Sequence, residues 1–471
     1  MLRILAKKEV REILGSMKFV ITFSACAVLI LLSFYMGAEN YSLSRAQYEA
    51  VMAQNMERLE GLTDWFSVRS QRVFLPPQPL ASLVNGVSND IGRTIEVEGR
   101  GELTADDSRY NDDPIFAIFR FLDLDFIFGT ILSLFAILLG YNTISGEKEQ
   151  GTLRLALSNP ISRNLYILGK LLGSGIALVV PLVIAMLIGC LLLVILQHPM
   201  SGEDWLRLAI IIITGLFYAG VFLTLSLFIS SVTYRSSNSF LLLLSIWIFS
   251  ALIIPRASVL LAGRAVDVPG IDENISQKAK YSSQLFKEEL AKISQFQPAS
   301  SGDPEKMVNE FNRFMEDIAD EREKKQNEFN ARINEARNNK LRRRERLSFN
   351  LARISPSTSM TLAATAMAGT SLDLKDHFVD EVSKYQKAFG DFMVNKTGSK
   401  PGDRMMMMKI KLGDEEEPEQ IDPNELPVFR YQSVSLAQSV KSSLPDLGLL
   451  AIYNLLFIAG SFRAFGRYDL R

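Results

Sequence analysis

The sequence contains very little cysteine and histidine. Its 471 residues include two cysteines, Cys26 and Cys190, and two histidines, His198 and His377. Both cysteines lie in apolar stretches, where a lone cysteine usually packs as a small hydrophobic side chain, so no disulfide framework is predicted. The two histidines are far apart in the sequence, which argues against a histidine-based zinc site or a Ser-His-Asp triad.

Common catalytic motifs are also absent from the sequence, which has no H-E-x-x-H, G-x-S-x-G or C-x-x-C pattern. The Gly169-Lys170 pair invites comparison with a P-loop, but Asn164 stands where the Walker pattern requires its first glycine. We therefore expect the chain not to be an enzyme and not to hydrolyse ATP by itself. A net charge of -1 provides no overall attraction for nucleic acid, so no nucleic-acid partner is expected.

What the sequence does contain is long hydrophobic runs, with charged residues concentrated between them. About 20 apolar residues in a helix cross the hydrocarbon core of a bilayer. We therefore predict a mostly α-helical protein with six membrane spans, at about 19–36, 125–143, 168–196, 208–230, 240–254 and 447–462. The third span is long, and we expect it to tilt or to be interrupted near Pro181. The fifth is short and is expected to end at Pro255-Arg256.

Residues 1–18 alternate apolar and charged positions at helical spacing, which predicts an amphipathic helix on the membrane surface. A cleaved signal peptide is the alternative, but the charged region is long and mixed in sign, and no A-x-A-like site follows the apolar run. Lysines and arginines of the short loops and of both termini fall on one side of a six-span arrangement. Both termini and the loop 144–163 are therefore expected in the cytoplasm.

Two long segments, 39–122 and 256–444, are predicted on the extracytoplasmic side. The first is expected to contain a helix at about 43–62 and, after a Pro76-Pro77-Gln78-Pro79 break, a strand or two within 91–103, which makes a small α/β part. The second is expected to be mainly helical, because Asp303-Pro304 begins a helical pattern that continues to about 354. Residues 274–296 are expected to pair with that helix as a hairpin. Further helices are predicted at 361–368 and 373–395, with a polar connection at 397–427.

The polar stretch 144–163 carries the most specific pattern in the chain. It contains E-x-E-x-G-T-L, followed by Ser158, Pro160, Ser162 and Arg163, and then by the Gly169-Lys170 pair that opens the third span. This pattern resembles the cytoplasmic loop of permeases in the type-2 (ABC-2-type) ATP-binding cassette export family, in which the motif follows the second span and contacts the ATPase subunit. The N-terminal elbow helix, the six-span layout and the C-terminal residues 462–471 are also similar to that family.

The resemblance covers residues 1–38, 123–255 and 445–471, and the large extracytoplasmic insertions depart from compact members of the family. It implies a permease in a prokaryotic cytoplasmic (inner) membrane, driven by two copies of a separate ABC ATPase subunit. ATP and magnesium would be bound by that subunit, with no cofactor bound directly to this chain. A second copy or a related permease would complete the membrane dimer. The residues that the resemblance assigns to ATPase coupling are Glu147, Glu149, Gly151, Thr152, Leu153, Arg154, Pro160 and Arg163.

Several alternatives stay open at this point. In the coupling interpretation, Glu147 and Glu149 face a basic groove on the ATPase, and Thr152 and Leu153 form a small apolar knob. Otherwise the loop is only a solvated charged loop beside lipid headgroups. The protein either exports a substrate or transmits force to an extracytoplasmic partner protein, and a non-transporting scaffold or sensor with a coiled-coil ectodomain is the alternative class. The thioethers of Met405–Met408 are suited to Cu(I), but apolar packing or membrane contact explains this segment better. The basic run 341–347 could bind anionic lipid or nucleic acid, but a solvated or hairpin-paired helix face explains it better.

Overall fold

The computed structural model of the chain describes residues 1–62, 64–88, 91–98, 103, 105–106, 122–158, 161–296, 304–398 and 421–467. Within these ranges the chain is mostly helical, and six helices are long and apolar enough to cross a membrane. They are Met17–Glu60, Leu124–Glu149, Arg163–Ile195, Gly202–Val232, Ser236–Ala265 and Leu436–Gly466. The predicted fold class, a mainly α-helical protein with six spans, is confirmed.

We number the helices in chain order. They are α1 (Leu2–Leu14), α2 (Met17–Glu60), α3 (Leu124–Phe126, a π-helical turn Ile127–Leu132, and Ser133–Gly140), α4 (Ser145–Glu149), α5 (Thr152–Leu157), α6 (Arg163–Ile195), α7 (Gly202–Val232), α8 (Ser236–Ala265, with a π-helical turn Ile248–Ile253), α9 (Ile271–Ser294), α10 (Pro304–Ala352), α11 (Pro356–Ala368), α12 (Asp373–Thr397) and α13 (Leu436–Gly466). Short 3-10 turns lie at Trp65–Ser67, Pro79–Ser82 and Pro423–Glu425.

The first span and the helix predicted after it form one helix. Ser16 begins α2, since its hydroxyl accepts a hydrogen bond from Phe19 N at 3.2 Å and so caps the free N–H groups of the first turn. The helix then continues for 44 residues to Glu60, beyond the length that a bilayer requires. The third span likewise passes through Pro181 without interruption, as the single helix α6.

The fifth span is predicted to end at Pro255-Arg256, whereas the helix that contains it, α8, continues to Ala265. A proline inside a regular α-helix clashes with the carbonyl of the turn before it. In α8 the turn that precedes Pro255 is the π-helical turn Ile248–Ile253, which is wider than an α-turn. The proline therefore shifts the hydrogen-bonding pattern of the helix without ending it.

The spans pack around a large apolar core. Its fully buried members include aromatic side chains from three helices, namely Phe34, Phe128, Phe135, Tyr218 and Phe222. By contrast, α6 and α13 each leave large apolar side chains exposed, among them Leu187, Leu191, Leu455 and Leu456. Apolar surface of this extent on membrane-length helices is typical of contact with lipid.

Residues between the first two spans form a three-stranded antiparallel sheet of β1 (Ser70–Phe74), β2 (Thr94–Glu98) and β3 (Ala105–Asp106). Alternate residues of β1 and β2 are buried, and they pack with α12 in a second apolar core whose members include Val73, Ile95, Val97, Phe378 and Phe389. One strand, β2, lies within the range 91–103 where a strand or two was predicted, whereas β1 and β3 lie outside it. The helix α12 follows the prediction for 373–395 closely.

The described residues form two compact units. One comprises residues 1–254 together with 353–471, and the other is Pro255–Ala352. The second unit contains the predicted helical hairpin, in which the Tyr281 ring of α9 stacks on the Phe329 ring of α10 at 4.0 Å and Lys292 pairs with Glu321 at 2.6 Å. The predicted segment 256–444 is therefore divided, since α11 and α12 belong to the first unit.

Candidate functional site

The loop between α3 and α6 folds into two short helices, α4 and α5, joined at Gly151. This glycine has φ +72°, a left-handed conformation that residues with a side chain rarely adopt. The chain turns sharply there, and the Thr152 hydroxyl returns to the Glu147 carbonyl oxygen at 3.4 Å. The glycine of the E-x-E-x-G-T-L pattern is thus explained by backbone geometry. We call the end of the spans at which α4 and α5 lie the coupling end.

Glu147 points inward, toward α6. One of its carboxylate oxygens accepts a hydrogen bond from Lys170 Nζ at 2.7 Å, and the other accepts from the Tyr166 hydroxyl. Lys170 is 7% exposed and its ammonium also lies 2.6 Å from a carboxylate oxygen of Glu9 on α1. Burial raises the pKa of Glu9, and the nearby ammonium opposes that rise. One lysine therefore joins the N-terminal helix to α4 through α6.

The N-terminal helix approaches α6 closely at two glycines. A Cβ added to Gly169 would lie 2.7 Å from Leu5 Cβ, and one added to Gly173 would lie 2.5 Å from Glu9 Cβ. Real Cβ atoms do not come this close, so the spacing G-x-x-x-G is what lets α1 lie against α6. This approach brings the Glu9 carboxylate within reach of Lys170.

The next two residues of the motif bind the neighbouring spans. Lys148 Nζ donates to the carbonyl oxygens of Ser231 and, at 3.0 Å, Thr233, which belong to the last turn and the C-cap of α7. These carbonyls have no partner within their own helix, and a cation at a helix C-terminus is favourable. A Glu149 carboxylate oxygen accepts from the backbone N–H of Ser236 at 3.1 Å, at the N-terminus of α8. Glu147, Lys148 and Glu149 therefore connect α4 to α1, α6, α7 and α8.

Two further contacts hold the coupling end together. The Ser230 hydroxyl of α7 accepts from the backbone N–H groups of Ile144 and Ser145, at 3.0 and 2.9 Å. Arg163 Nη1 donates to the carbonyl oxygen of Gly466, at 2.7 Å, at the C-terminus of α13. The Ser162 hydroxyl caps α6 by accepting a hydrogen bond from Leu165 N at 3.4 Å.

The structure places Thr152 and Leu153, the expected apolar knob, in different surroundings. Thr152 is exposed, but Leu153 is 1% exposed and packs inward against Tyr166 and Phe465 in a small core of its own. A helix as short as α5 needs such an anchor, because its own hydrogen bonds are too few to hold it. The exposed apolar side chain of α5 is Leu155, 71% exposed, which is not among the residues predicted for coupling.

The outward surface of the coupling end is small and mixed in character. Its exposed residues are Glu149, Gln150, Gly151, Thr152, Arg154, Leu155 and Ser158. Pro160, which the sequence analysis also assigned to coupling, lies outside the described residues, and so do Met405–Met408. In the part of the chain that the structure describes, no group of three or more His, Cys, Asp or Glu side chains could hold a metal ion.

Sequence reasoning missed several groups at the coupling end, including Glu9, Lys148, Tyr166, Ser230 and Phe465. Lys148 stands inside the motif, between its two glutamates, and could have been included on that ground. The pair Gly169 and Gly173 is a visible small-residue pattern that indicates close helix packing. No sequence signal pairs Glu9 with Lys170, because they are distant in the chain.

The comparison with known proteins agrees with this architecture. Residues 3–470 match the profile of the family described as ABC-2 family transporter protein, and the chain therefore belongs to that family. The resemblance to ABC-2-type permeases is thereby confirmed, and the chain is a permease-family integral membrane protein rather than an ATPase subunit.

Two curated relatives carry the description probable ABC transporter permease protein NosY. The protein of Stutzerimonas stutzeri is 29% identical over 124 residues, which is 26% of this chain and 45% of the relative. That of Pseudomonas aeruginosa is 33% identical over 130 residues, 27% of this chain and 46% of the relative. The chain thus matches less than half the length of each of these relatives.

Proposed function

We propose that the chain is the membrane subunit that couples ATP hydrolysis by a separate ABC ATPase subunit to movement of its spans. The observation that carries this proposal is the connection of α4 to α1, α6, α7 and α8 through the consecutive residues Glu147, Lys148 and Glu149. A displacement of α4 is passed directly to α6, α7 and α8, and through Lys170 to α1, because each contact is a charge-assisted hydrogen bond or ion pair. Such contacts allow the loop to transmit a displacement to the spans.

The ATPase docks on the exposed surface of α5, with Leu155 as its apolar contact and Arg154 as its charged one. Large exposed apolar side chains that lie beside charged ones are typical of protein contact surfaces. In this arrangement Glu147 acts from behind, by setting the orientation of α4 and α5, and does not itself enter a groove of the ATPase. Glu149 is exposed beside α5 and holds the N-terminus of α8. Thr152, Gly151 and Arg163 shape the turn and hold α6.

The complete transporter contains two ATPase subunits, which bind ATP and magnesium, and this chain pairs with a second copy or a related permease. The coupling end and both termini lie in the cytoplasm of a prokaryotic cell, and the spans cross its cytoplasmic membrane. The support for this orientation is the concentration of lysine and arginine in α1, in the loop 144–163 and near the C-terminus.

Two functions are compatible with this coupling to ATP hydrolysis. One is export of a substrate between the two permeases. The other is transmission of force to an extracytoplasmic partner protein, and the hairpin α9–α10 favours it as the second candidate. At about 1.5 Å per residue, the 49 residues of α10 extend about 74 Å, far more than a passage through the bilayer requires.

Copurification tests the coupling proposal. The tagged full chain, coexpressed with the ABC ATPase subunit of its own transporter, is purified, and the retained ATPase is measured by quantitative mass spectrometry and by ATP hydrolysis. Leu155→Glu is expected to lower the retained ATPase about tenfold, equivalent to about 1.4 kcal/mol of binding. Val428→Glu is the matched control, because Val428 is also 71% exposed but lies outside the coupling end. Equal retention in the two variants would show that α5 is not the docking surface.

The double variant Glu147→Ala with Glu149→Ala tests the supporting role of the carboxylates. It is expected to lower ATP hydrolysis by the complex and to weaken association, since α4 loses its contacts with α6 and α8. A chain that retains no ATPase subunit in any form would instead indicate a non-transporting scaffold or sensor.

A further inference from the structure

A cavity of about 340 Å³ lies among α7, α8, α13 and the start of α11. Its buried floor includes Val221, Phe222 and Leu225 of α7. Phe249 of α8 and Ile354, which precedes α11, also line the cavity and are 60% and 61% exposed, so they form its mouth. Its volume is within the range of small-molecule sites, and its walls belong to helices of membrane length.

The cavity exists because of two features of the chain. The π-helical turn Ile248–Ile253 widens α8 and leaves the Ser250 carbonyl oxygen available to another segment. The Ser355 hydroxyl, at the N-cap of α11, donates to this oxygen at 2.6 Å. The start of α11 is thereby held against α8, and the space between this contact and α13 is left unfilled.

The polar groups along the wall are already hydrogen-bonded. The Ser245 hydroxyl donates to the Leu241 carbonyl oxygen at 2.9 Å, and the Tyr453 hydroxyl donates to the Ile354 carbonyl oxygen at 2.8 Å. Ser250 is engaged with Ser355 through both its hydroxyl and its carbonyl oxygen. A polar ligand would lose its hydration without gaining a partner, which is costly, whereas an alkyl chain has no such cost.

We propose that this cavity binds one acyl chain of a membrane phospholipid, which enters from the bilayer between Phe249 and Ile354. The wall is apolar, its hydroxyls are paired, and the medium around membrane-spanning helices is itself hydrocarbon. The cavity also lies beside both connections to the unit Pro255–Ala352. Ile254 directly precedes this unit, Ile354 closely follows it, and both residues line the cavity, so a bound acyl chain contacts both connections.

Photo-crosslinking in lipid nanodiscs tests the proposal with the full chain. The probe is a phosphatidylethanolamine with a diazirine at the end of one acyl chain, and adducts are mapped by mass spectrometry. We expect adducts on Val221, Phe222 and Leu225 at no less than the yield on the outward-facing Leu455, although the three are buried and Leu455 is 65% exposed. Adducts confined to outward-facing residues would overturn the proposal. This part of the test uses the wild-type chain alone.

A blocking variant sharpens the test. Ser245→Trp places a large ring at the cavity wall, and Leu241→Trp places the same ring one helical turn earlier on α8, outside the cavity. Ser245→Trp is expected to lower the adduct yield on α7 at least fivefold, and Leu241→Trp is expected to leave it unchanged. Equal yields in the two variants would show that the probe reaches α7 by another route and would refute the site.

Discussion

The ammonium of Lys170 lies 2.6 Å from a carboxylate oxygen of Glu9 and 2.7 Å from one of Glu147. The three residues come from α6, α1 and α4, and Lys170 is largely excluded from solvent. A single positive charge thus holds two negative charges from segments that are remote in sequence. If it is removed, the buried Glu9 and the partly buried Glu147 both lose their counter-ion.

The first prediction follows from this charge arrangement. Lys170→Met is expected to lower the stability of the purified chain by about 3–5 kcal/mol, the usual cost of removing one partner from a buried ion pair. The measurement is thermal unfolding in detergent, with Lys8→Met on the exposed face of α1 as the control. Adding Glu9→Gln to Lys170→Met should restore part of the loss, because one uncompensated charge is then gone. Equal stability of Lys170→Met and Lys8→Met would contradict the structural role of the cluster.

A second prediction concerns two glycines of α6. Gly173→Ala is expected to destabilise the protein by about 1–3 kcal/mol, since the new methyl group would lie 2.5 Å from Glu9 Cβ and must displace α1. Gly175→Ala is the control, because a Cβ there meets nothing within 4 Å and alanine favours a helix over glycine. Thermal unfolding and protease sensitivity of α1 report the difference. If both variants behave alike, the close packing of α1 on α6 does not hold in the membrane.

A third prediction isolates Lys148. Lys148→Met removes the donor to the carbonyl oxygens of Ser231 and Thr233, and a hydrogen bond to a charged group contributes about 1.5–3 kcal/mol. Amide hydrogen exchange in the last turn of α7 is therefore expected to accelerate in Lys148→Met. Lys148→Arg keeps a donor there and should exchange at nearly the wild-type rate. Unchanged exchange in Lys148→Met would show that solvent or lipid headgroups satisfy these carbonyls equally well.

The spans could be predicted from the sequence because hydrophobic length is a local property that the bilayer imposes on each segment. Their ends were harder to predict. Pro255 signals an end by its own chemistry, yet the helix continues past it through a π-helical turn that no local pattern announces, as α6 also continues through Pro181. The continuity of α2 was missed for a related reason, since the chain becomes polar where the bilayer ends while the helix continues.

The candidate site, too, could be predicted only in part from the sequence. The loop 144–163 was located from its motif, and Gly151 has the backbone conformation that requires glycine. The inward direction of Glu147 and Leu153 was not foreseen, because it depends on Lys170 and Phe465 as neighbours in three dimensions. A charged motif between two spans suggests contact with a partner, whereas much of this one is used to hold the spans to one another. The ATPase contact itself stays a prediction.

The last prediction concerns pH at the end of the spans opposite to the coupling end. There His198, between α6 and α7, contacts the segment that joins β1 to β2. Its Nε2 lies 3.1 Å from the Pro79 carbonyl oxygen and donates to it in the neutral form, while Nδ1 is buried without a hydrogen bond. Burial lowers the pKa of His198 from its ordinary value of 6.5. The stability contributed by neutral His198 is therefore complete above about pH 6.5 and is lost as the pH falls through that value toward the folded-state pKa. Thermal unfolding at pH 7.5 and 5.5 should show a larger decrease in wild type than in His198→Gln, whose amide can still donate to Pro79 but does not titrate. Equal decreases would mean that other groups cause the loss of stability in acid.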